Sequence, residues 1–421
     1  MKGETMDYKA LFNEIVLIMH QDYAGKEEKK NWDRPRNYEI KLETLIKNNA
    51  IDELIFYDLV WNYLADFKDD HILWRHAKAS YTSIGFMTRR YMKSLYVTKV
   101  INPKIALKAG MRIVKIDHQD LSYYEEKFPY HLKEKSEERQ SWHFILQRAQ
   151  SVTIEENNQF IEVSILKNIP LETPLEPYEI KVLEPDIVYI RLEDFNAPDT
   201  IYDLFEAHKS TLESTPYWII DVRVNHGGSD NAYAPILPYL FNQGDTLYEE
   251  DVYFLMSERN CALRIQLLEQ FMAQQSHKPE TKEMIITYIE DLKKQRGKGF
   301  VKAKSNEPKT FSNTYPNPQK VVVLTDVYCS SSGDQFVYDC KQSEKVHVIG
   351  RPTLGVIDYS NLAKLKLKDT YELWYPTSKM ASVMRGELLT EGVQPDRYIP
   401  WNPSHIFEDV DLIEAKHYLK N

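Results

Sequence analysis

The amino-acid sequence predicts an α/β protein: a helical N-terminal region and a small β-rich module, followed by a larger domain built on a mainly parallel sheet. Three observations predict it. Helical spacing runs through about the first seventy residues, short β-type runs replace it from about Tyr81, and near-continuous apolar strands alternate with helices from about Tyr178. A chain of 421 residues exceeds one ordinary hydrophobic core, so two or three domains are expected.

In the N-terminal region Leu11, Ile15, Val16, Ile18 and Met19 lie close to one helical stripe. The pairs Ile55–Phe56, Leu59–Val60 and Tyr63–Leu64 recur at cleaner helical spacing. Lys26–Arg36 between them is charged, contains Pro35 and reads as a loop. The β-rich module shows the runs Ser83–Phe86, Leu95–Val100, Arg112–Ile116 and Phe160–Ile165, with a charged, helix-like interruption over Lys133–Gln150. In the third region Ile187–Leu192, Tyr217–Val222, Val321–Leu324 and His347–Ile349 read as strands, and a helix runs through Tyr202, Leu204 and Phe205. Apolar strands with helical crossovers argue for a parallel sheet covered on both faces. Ser257–Gly299 is helical and highly charged, an insertion that reads either as a cap over a site or as a contact between copies in a homo-oligomer. The expected division is therefore residues 1–78, 79–172 and 173–421, with the insertion at about 257–300.

Composition narrows the function. Hydrophobic residues at 43% and charged residues at 28% exclude a largely disordered chain. The 53 basic and 63 acidic residues leave a net charge of -10, which sets nucleic-acid binding aside. Mean hydropathy is -0.51, no apolar run is long enough to cross a bilayer, and the first residues carry no basic-then-apolar leader pattern. A cytoplasmic protein without a membrane partner is the expectation. Cys261, Cys329 and Cys340 are too scattered for a disulfide framework or a zinc cage. No Walker loop, His-Glu-x-x-His or dinucleotide Gly-x-Gly-x-x-Gly occurs, so neither a cofactor nor a metal is expected.

Two strand-to-helix junctions carry residues able to do chemistry. At the first, Asp221–Asp230, a buried strand ends in Gly227-Gly228. Paired glycines let the backbone turn sharply and leave N–H groups facing outward, either to hold a developing oxyanion or simply to make a tight turn. At the second, an apolar strand runs into Cys329-Ser330-Ser331-Ser332-Gly333-Asp334, and Phe336, Val337 and Cys340 then suit one helical face. A hydroxyl in that turn sits at a helix N-terminus, where N–H groups and the dipole favour negative charge. That is the physics of a nucleophile elbow without its Gly-x-Ser-x-Gly pattern, and the same serines suit plain helix capping.

The two junctions resemble the catalytic core of the S41 peptidases, the group of the C-terminal processing proteases and the tricorn-type proteases. Asp221–Gly228 is similar to their Asp-x-Arg-x-Asn-x-Gly-Gly element, and Ser331–Asp334 to their Ser-x-x-Glu/Asp. Gly350–Gly355 resembles Gly-x-x-Thr-x-Gly, and Gly392–Asp396 resembles Gly-Val-x-Pro-Asp, all in the family's order. The resemblance implies a crotonase/ClpP-like catalytic domain and a serine peptidase acting on peptide or protein substrates without a cofactor. Upstream, Ser83–Phe86 resembles the carboxylate-binding loop of a PDZ domain, which implies peptide binding at Gly85 and Phe86; the usual Gly-Asp pair is replaced by Ala109-Gly110-Met111.

The same resemblance assigns the catalytic parts. Ser331 is the nucleophile by its register to Asp334, with Ser330 the fallback, while Cys329 reads as packing. A serine needs a proton acceptor. The processing proteases use a lysine just after Gly-x-x-Thr-x-Gly, where this chain has Val356. Tricorn-type members use a histidine ahead of the PDZ domain, which matches His71 at the end of Leu64–His71. His71 is one of 12 histidines; His76 is the nearby substitute, and His226 stands beside the glycine pair. The orienting acid falls near Leu389, flanked by Glu391 and Glu387, of which Glu391 is the choice. Backbone N–H groups of Gly227, Gly228 and Ser332 form the implied oxyanion hole. Two other classes stay open: a peptidase-like scaffold that has lost its base and docks partners, and a crotonase-like enzyme acting on acyl-thioesters.

Overall fold

The computed structural model describes residues 6–76, 84–167, 176–274, 279–303 and 307–421. Ser83, part of the expected carboxylate-binding run, lies outside the described residues. The chain divides into two compact units that alternate along it. One comprises Met1–Ser80, Glu249–Glu307 and Asp358–Leu388; the other comprises Tyr81–Tyr248, Pro308–Ile357 and Leu389–Asn421.

In the first unit the two expected helical stripes are the helices Tyr8–Gln21 and Glu53–Ala65, and a third helix, Pro35–Lys47, starts inside the end of the segment read as a loop. Asp52 caps Glu53–Ala65, its carboxylate accepting from the N–H groups of Leu54 and Ile55. The buried stripe of these helices (Phe12, Ile15, Phe56, Val60, Tyr63) packs on Tyr371, Leu373 and Tyr375. Those belong to a long antiparallel hairpin, Tyr359–Leu367 with Tyr371–Met380, which sequence reasoning left unassigned. Leu73–His76 and Val252–Leu255 flank it, and Phe300–Lys302 pairs with the latter. The charged insertion forms two helices, Glu258–Gln274 and Pro279–Gln295, around Met256, Cys261 and Leu292.

In the second unit the expected apolar runs form a six-stranded sheet. Its order is Arg397–Tyr398, Val346–Gly350, Lys320–Thr325, Tyr217–Asp221, Ile187–Leu192 and Tyr178–Glu184. All neighbours are parallel except the last pair. Ile219, Val322, Leu324 and Ile349 bury one face with Ala415 and Leu419 of the helix Val410–Lys420. Phe205 of the helix Pro198–Ala207 covers Trp218 on the other. This two-sided burial is why these strands read as continuous apolar runs. The same unit holds an antiparallel sheet in the order Phe86–Tyr91, Ser94–Val100, Arg112–Ile116, Ser151–Glu156 and Gln159–Ser164. The Lys133–Gln150 interruption contains two short helical turns, Glu137–Arg139 and His143–Leu146.

Candidate active site

The strand Lys320–Thr325 ends in a turn, and Ser331 is the N-cap of the helix Ser332–Cys340. Its backbone stands at φ 57°, ψ -120°. That is a sparsely populated conformation for a residue with a Cβ, and it stands in a strand-to-helix turn. The strain is held from both sides. The buried Asp334 carboxylate accepts from Ser331 N–H at 2.6 Å, from Gly355 N–H at 2.8 Å and from Val356 N–H at 3.3 Å. Burial pushes the Asp334 carboxyl up, opposed by hydrogen bonds from Thr353, Gly355, Val356 and Ser331.

Asn225 supports the other side. It is fully buried, its Nδ2 donates to Leu192 O at 3.0 Å, and its carbonyl accepts from Ser330 N–H at 2.8 Å. Its Oδ1 accepts from Gly227 N–H at 2.9 Å. One side chain and its peptide thus join the glycine turn to the serine turn. Gly333 is needed there, since a Cβ would lie 2.9 Å from Asn225 Oδ1 and from Cys329 Sγ. At Gly227, with φ 81°, a Cβ would lie 2.7 Å from Ser331 Cβ. We expect Gly227→Ala to push the two turns apart and lower hydrolysis more than it lowers the melting temperature, measured by kinetics beside thermal unfolding.

The three expected oxyanion donors therefore differ. Gly227 N–H is engaged by Asn225, whereas Gly228 and Ser332 N–H have no partner among the described residues. Ser332 Oγ donates to Gly228 O at 3.0 Å, which ties those two positions together. Gly228 is exposed, so the side it presents is open to a substrate. Cys329 is buried, which pushes its thiol well up and makes it a poor nucleophile. Val356 is a buried apolar residue.

His71 lies in the other unit. It is buried, its N–H donates to Asp69 Oδ1 at 2.9 Å, and its Nδ1 is 2.7 Å from Tyr359 O. A carbonyl only accepts, so that bond fixes the Nδ1–H tautomer and leaves the Nε2 lone pair available to take a proton. His76 Nε2 instead lies 3.0 Å from the Glu53 carboxylate. His226 is exposed at the glycine turn. Glu391 sits in a tight turn closed by Gly392 N–H donating to Leu389 O at 2.7 Å, and its side chain is exposed. Glu387 accepts from Arg385. Gly85 O accepts from Ile101 and Asn102 N–H, and Phe86 is buried at the start of its strand.

A cleft of about 560 Å3 opens at the carboxyl ends of the parallel strands. Its wall is an ion network. Arg89 grips Asp326 with two bonds, Arg351 joins Asp326 to Asp411, and Arg223 joins Asp221, Asp409 and Asp411. Burial pushes the Asp326 carboxyl up, but Arg89 and Arg351 outweigh it and hold it far below the usual carboxylate range. Burial at Asp411 is outweighed in the same way by His405, Arg351 and Arg223.

A strained serine at a helix N-terminus, facing a glycine turn on a parallel sheet, defines the class of hydrolases that use a serine nucleophile. Residues 186–399, half of the chain, match the model of peptidase family S41. The chain belongs to that family and is a serine-type peptidase, acting on peptide or protein substrates. No curated protein matches it in sequence. Its fold is similar to that of mature CPAF at 10% identity, with a TM-score of 0.62 over 97% of this chain and 95% of that one. Mature CPAF complexed with lactacystin gives 10% identity and 0.62 over 98% and 97%. A putative S41 protease from Bacteroides fragilis gives 12% identity and 0.50 over 100% and 98%. Among the described residues no helix is long and apolar enough to cross a membrane, and no cluster of His, Cys, Asp and Glu could hold a metal ion.

Proposed function

We propose that the protein hydrolyses peptide bonds by acyl transfer to Ser331, with His71 as general base. Ser331 Oγ attacks the carbonyl carbon while His71 Nε2 takes its proton. Gly228 and Ser332 N–H hold the oxyanion, and Gly227 provides the close approach of the turns. The imidazolium returns its proton to the leaving amine, and water, activated by the same nitrogen, releases the acyl group. The observation that carries this reading is the strained backbone of Ser331 at a helix N-terminus beside unengaged N–H groups.

Glu391 is the carboxylate we propose to stabilise the imidazolium, while the Tyr359 carbonyl sets its tautomer. Glu391→Gln is then expected to lose less activity than His71→Ala; an equal loss would shift the orienting role wholly to Glu391. We retain the functional division at 1–78, 79–172 and 173–421, with a crotonase/ClpP-like catalytic part. The β-rich module is proposed as PDZ-like. Phe86–Tyr91 being an edge strand among the described residues supports peptide addition at Gly85 and Phe86.

The test is fluorophosphonate labelling with the modified residue located by mass spectrometry. Label on Ser331 that is lost in both Ser331→Ala and His71→Ala supports the mechanism. Label that survives without His71 moves the base to His226 or His76. Val356 favours a second reading, a scaffold that binds peptides without cleaving them. A folded, unlabelled protein that binds peptides at Gly85 would establish it.

A further inference from the structure

We infer that Arg139, contributed by the β-rich module, is a positioning residue for the nucleophile turn; the inference rests on the Ser331 reading above. The one-turn helix Glu137–Arg139 sends three successive side chains to three places. The Glu137 carboxylate accepts from Met92 N–H at 2.6 Å, in the turn after the strand Phe86–Tyr91. The Glu138 carboxylate accepts from Tyr398 Oη at 3.0 Å, in the edge strand of the parallel sheet. Arg139 Nη1 donates to Thr353 O at 2.9 Å and to Glu391 O at 3.4 Å, and its Nη2 donates to Leu354 O at 2.5 Å.

The first and last of those carbonyls, Thr353 O and Leu354 O, belong to the segment that bonds the serine turn. Leu354 N–H donates to Cys329 O at 2.7 Å, and Gly355 N–H to Asp334 Oδ1 at 2.8 Å. Thr353 bonds Asp334 through its side chain, and its Oγ1 accepts from Val393 N–H at 2.8 Å. Leu354 and Gly355 therefore face the serine turn with their N–H groups while Arg139 fixes the carbonyls of Thr353 and Leu354. Asp334 then passes that constraint to Ser331 N–H at 2.6 Å. A guanidinium suits this task because its planar fork holds several donors in one fixed geometry, whereas the donors of an ammonium rotate. Anchored by Glu137 and Glu138, Arg139 makes the β-rich module part of the support that keeps Ser331 in its strained conformation.

The experiment uses the full chain with Arg139→Ala and Arg139→Lys. Two quantities are read: the rate constant of fluorophosphonate labelling at Ser331, and amide exchange of the peptides covering 327–336 and 351–357. For Arg139→Ala we expect labelling slowed about 10- to 100-fold, amide exchange in both peptides raised about tenfold, and recovery of the rate with millimolar ethylguanidine. A role in stability alone would not give the chemical rescue. Arg139→Lys, which keeps the charge and the fold, is expected to fall between the two and serves where the alanine variant does not fold. Wild-type labelling and exchange in either variant would overturn the inference. A wild-type protein that does not label would defeat the Ser331 reading, and the exchange measurement would still decide whether Arg139 holds the turn.

Discussion

Replacing Ser331 by alanine is expected to reduce peptide hydrolysis by roughly 10^6-fold, since the nucleophile and its base act as one unit. The melting temperature is expected to stay within a few degrees, because the bond from Ser331 N–H to Asp334 does not involve the hydroxyl. Ser331→Gly sharpens the test. Glycine adopts φ 57° without the strain that any Cβ meets there, so this variant is expected to be about 1–3 kcal/mol more stable than Ser331→Ala. Urea unfolding of the two variants measures the difference. Equal stabilities would mean that the backbone of the turn is not strained, and retained hydrolysis in either variant would remove Ser331 from the mechanism.

The second large effect is on stability. Arg351→Met leaves the buried Asp326 and Asp411 carboxylates without their shared partner, and breaking such a network costs about 3–5 kcal/mol. The pH dependence has a definite sign. Both carboxyls titrate below their unfolded value of about 3.9, so their contribution is fully present above that pH and is lost as pH falls toward the folded values. Wild-type stability is therefore expected to drop on acidification below about pH 4, and the drop should be shallower in Arg351→Met. Urea titrations of both proteins at about pH 7 and about pH 3 measure it. A loss below about 1 kcal/mol at neutral pH would show that the network is dispensable.

What could be read in advance follows from where each signal resides. Strands buried on both faces leave uninterrupted apolar runs, so Ile187–Leu192 and Tyr217–Asp221 were visible as parallel strands. The hairpin Tyr359–Met380 carries Lys364, Lys366 and Lys379 and pairs with short segments remote in the chain, so no local period announced its sheet. Its buried residues Tyr359, Ala363 and Leu367 fall four apart rather than on every second position of a strand. The register of Ser331 to Asp334 has a physical counterpart in the hydrogen bond that links them. A glycine pair, by contrast, says that backbone is close to something and not which N–H is already engaged. Asn225 falls inside the Asp-x-Arg-x-Asn-x-Gly-Gly element, but the main-chain bonds made by Arg139 leave no spacing pattern to find.

The alternation of the two units along the chain has a consequence for how the protease comes into being. The chain passes between them at Ser80–Tyr81, Tyr248–Glu249, Glu307–Pro308, Ile357–Asp358 and Leu388–Leu389. During synthesis the unit bearing His71 stays incomplete until Leu388 has left the ribosome, and the unit bearing Ser331 waits for the helix Val410–Lys420. Contacts between such distant segments are slow to form. In a product that stops before Leu388 neither unit is complete, so Ser331 and His71 both lie in unfinished units there.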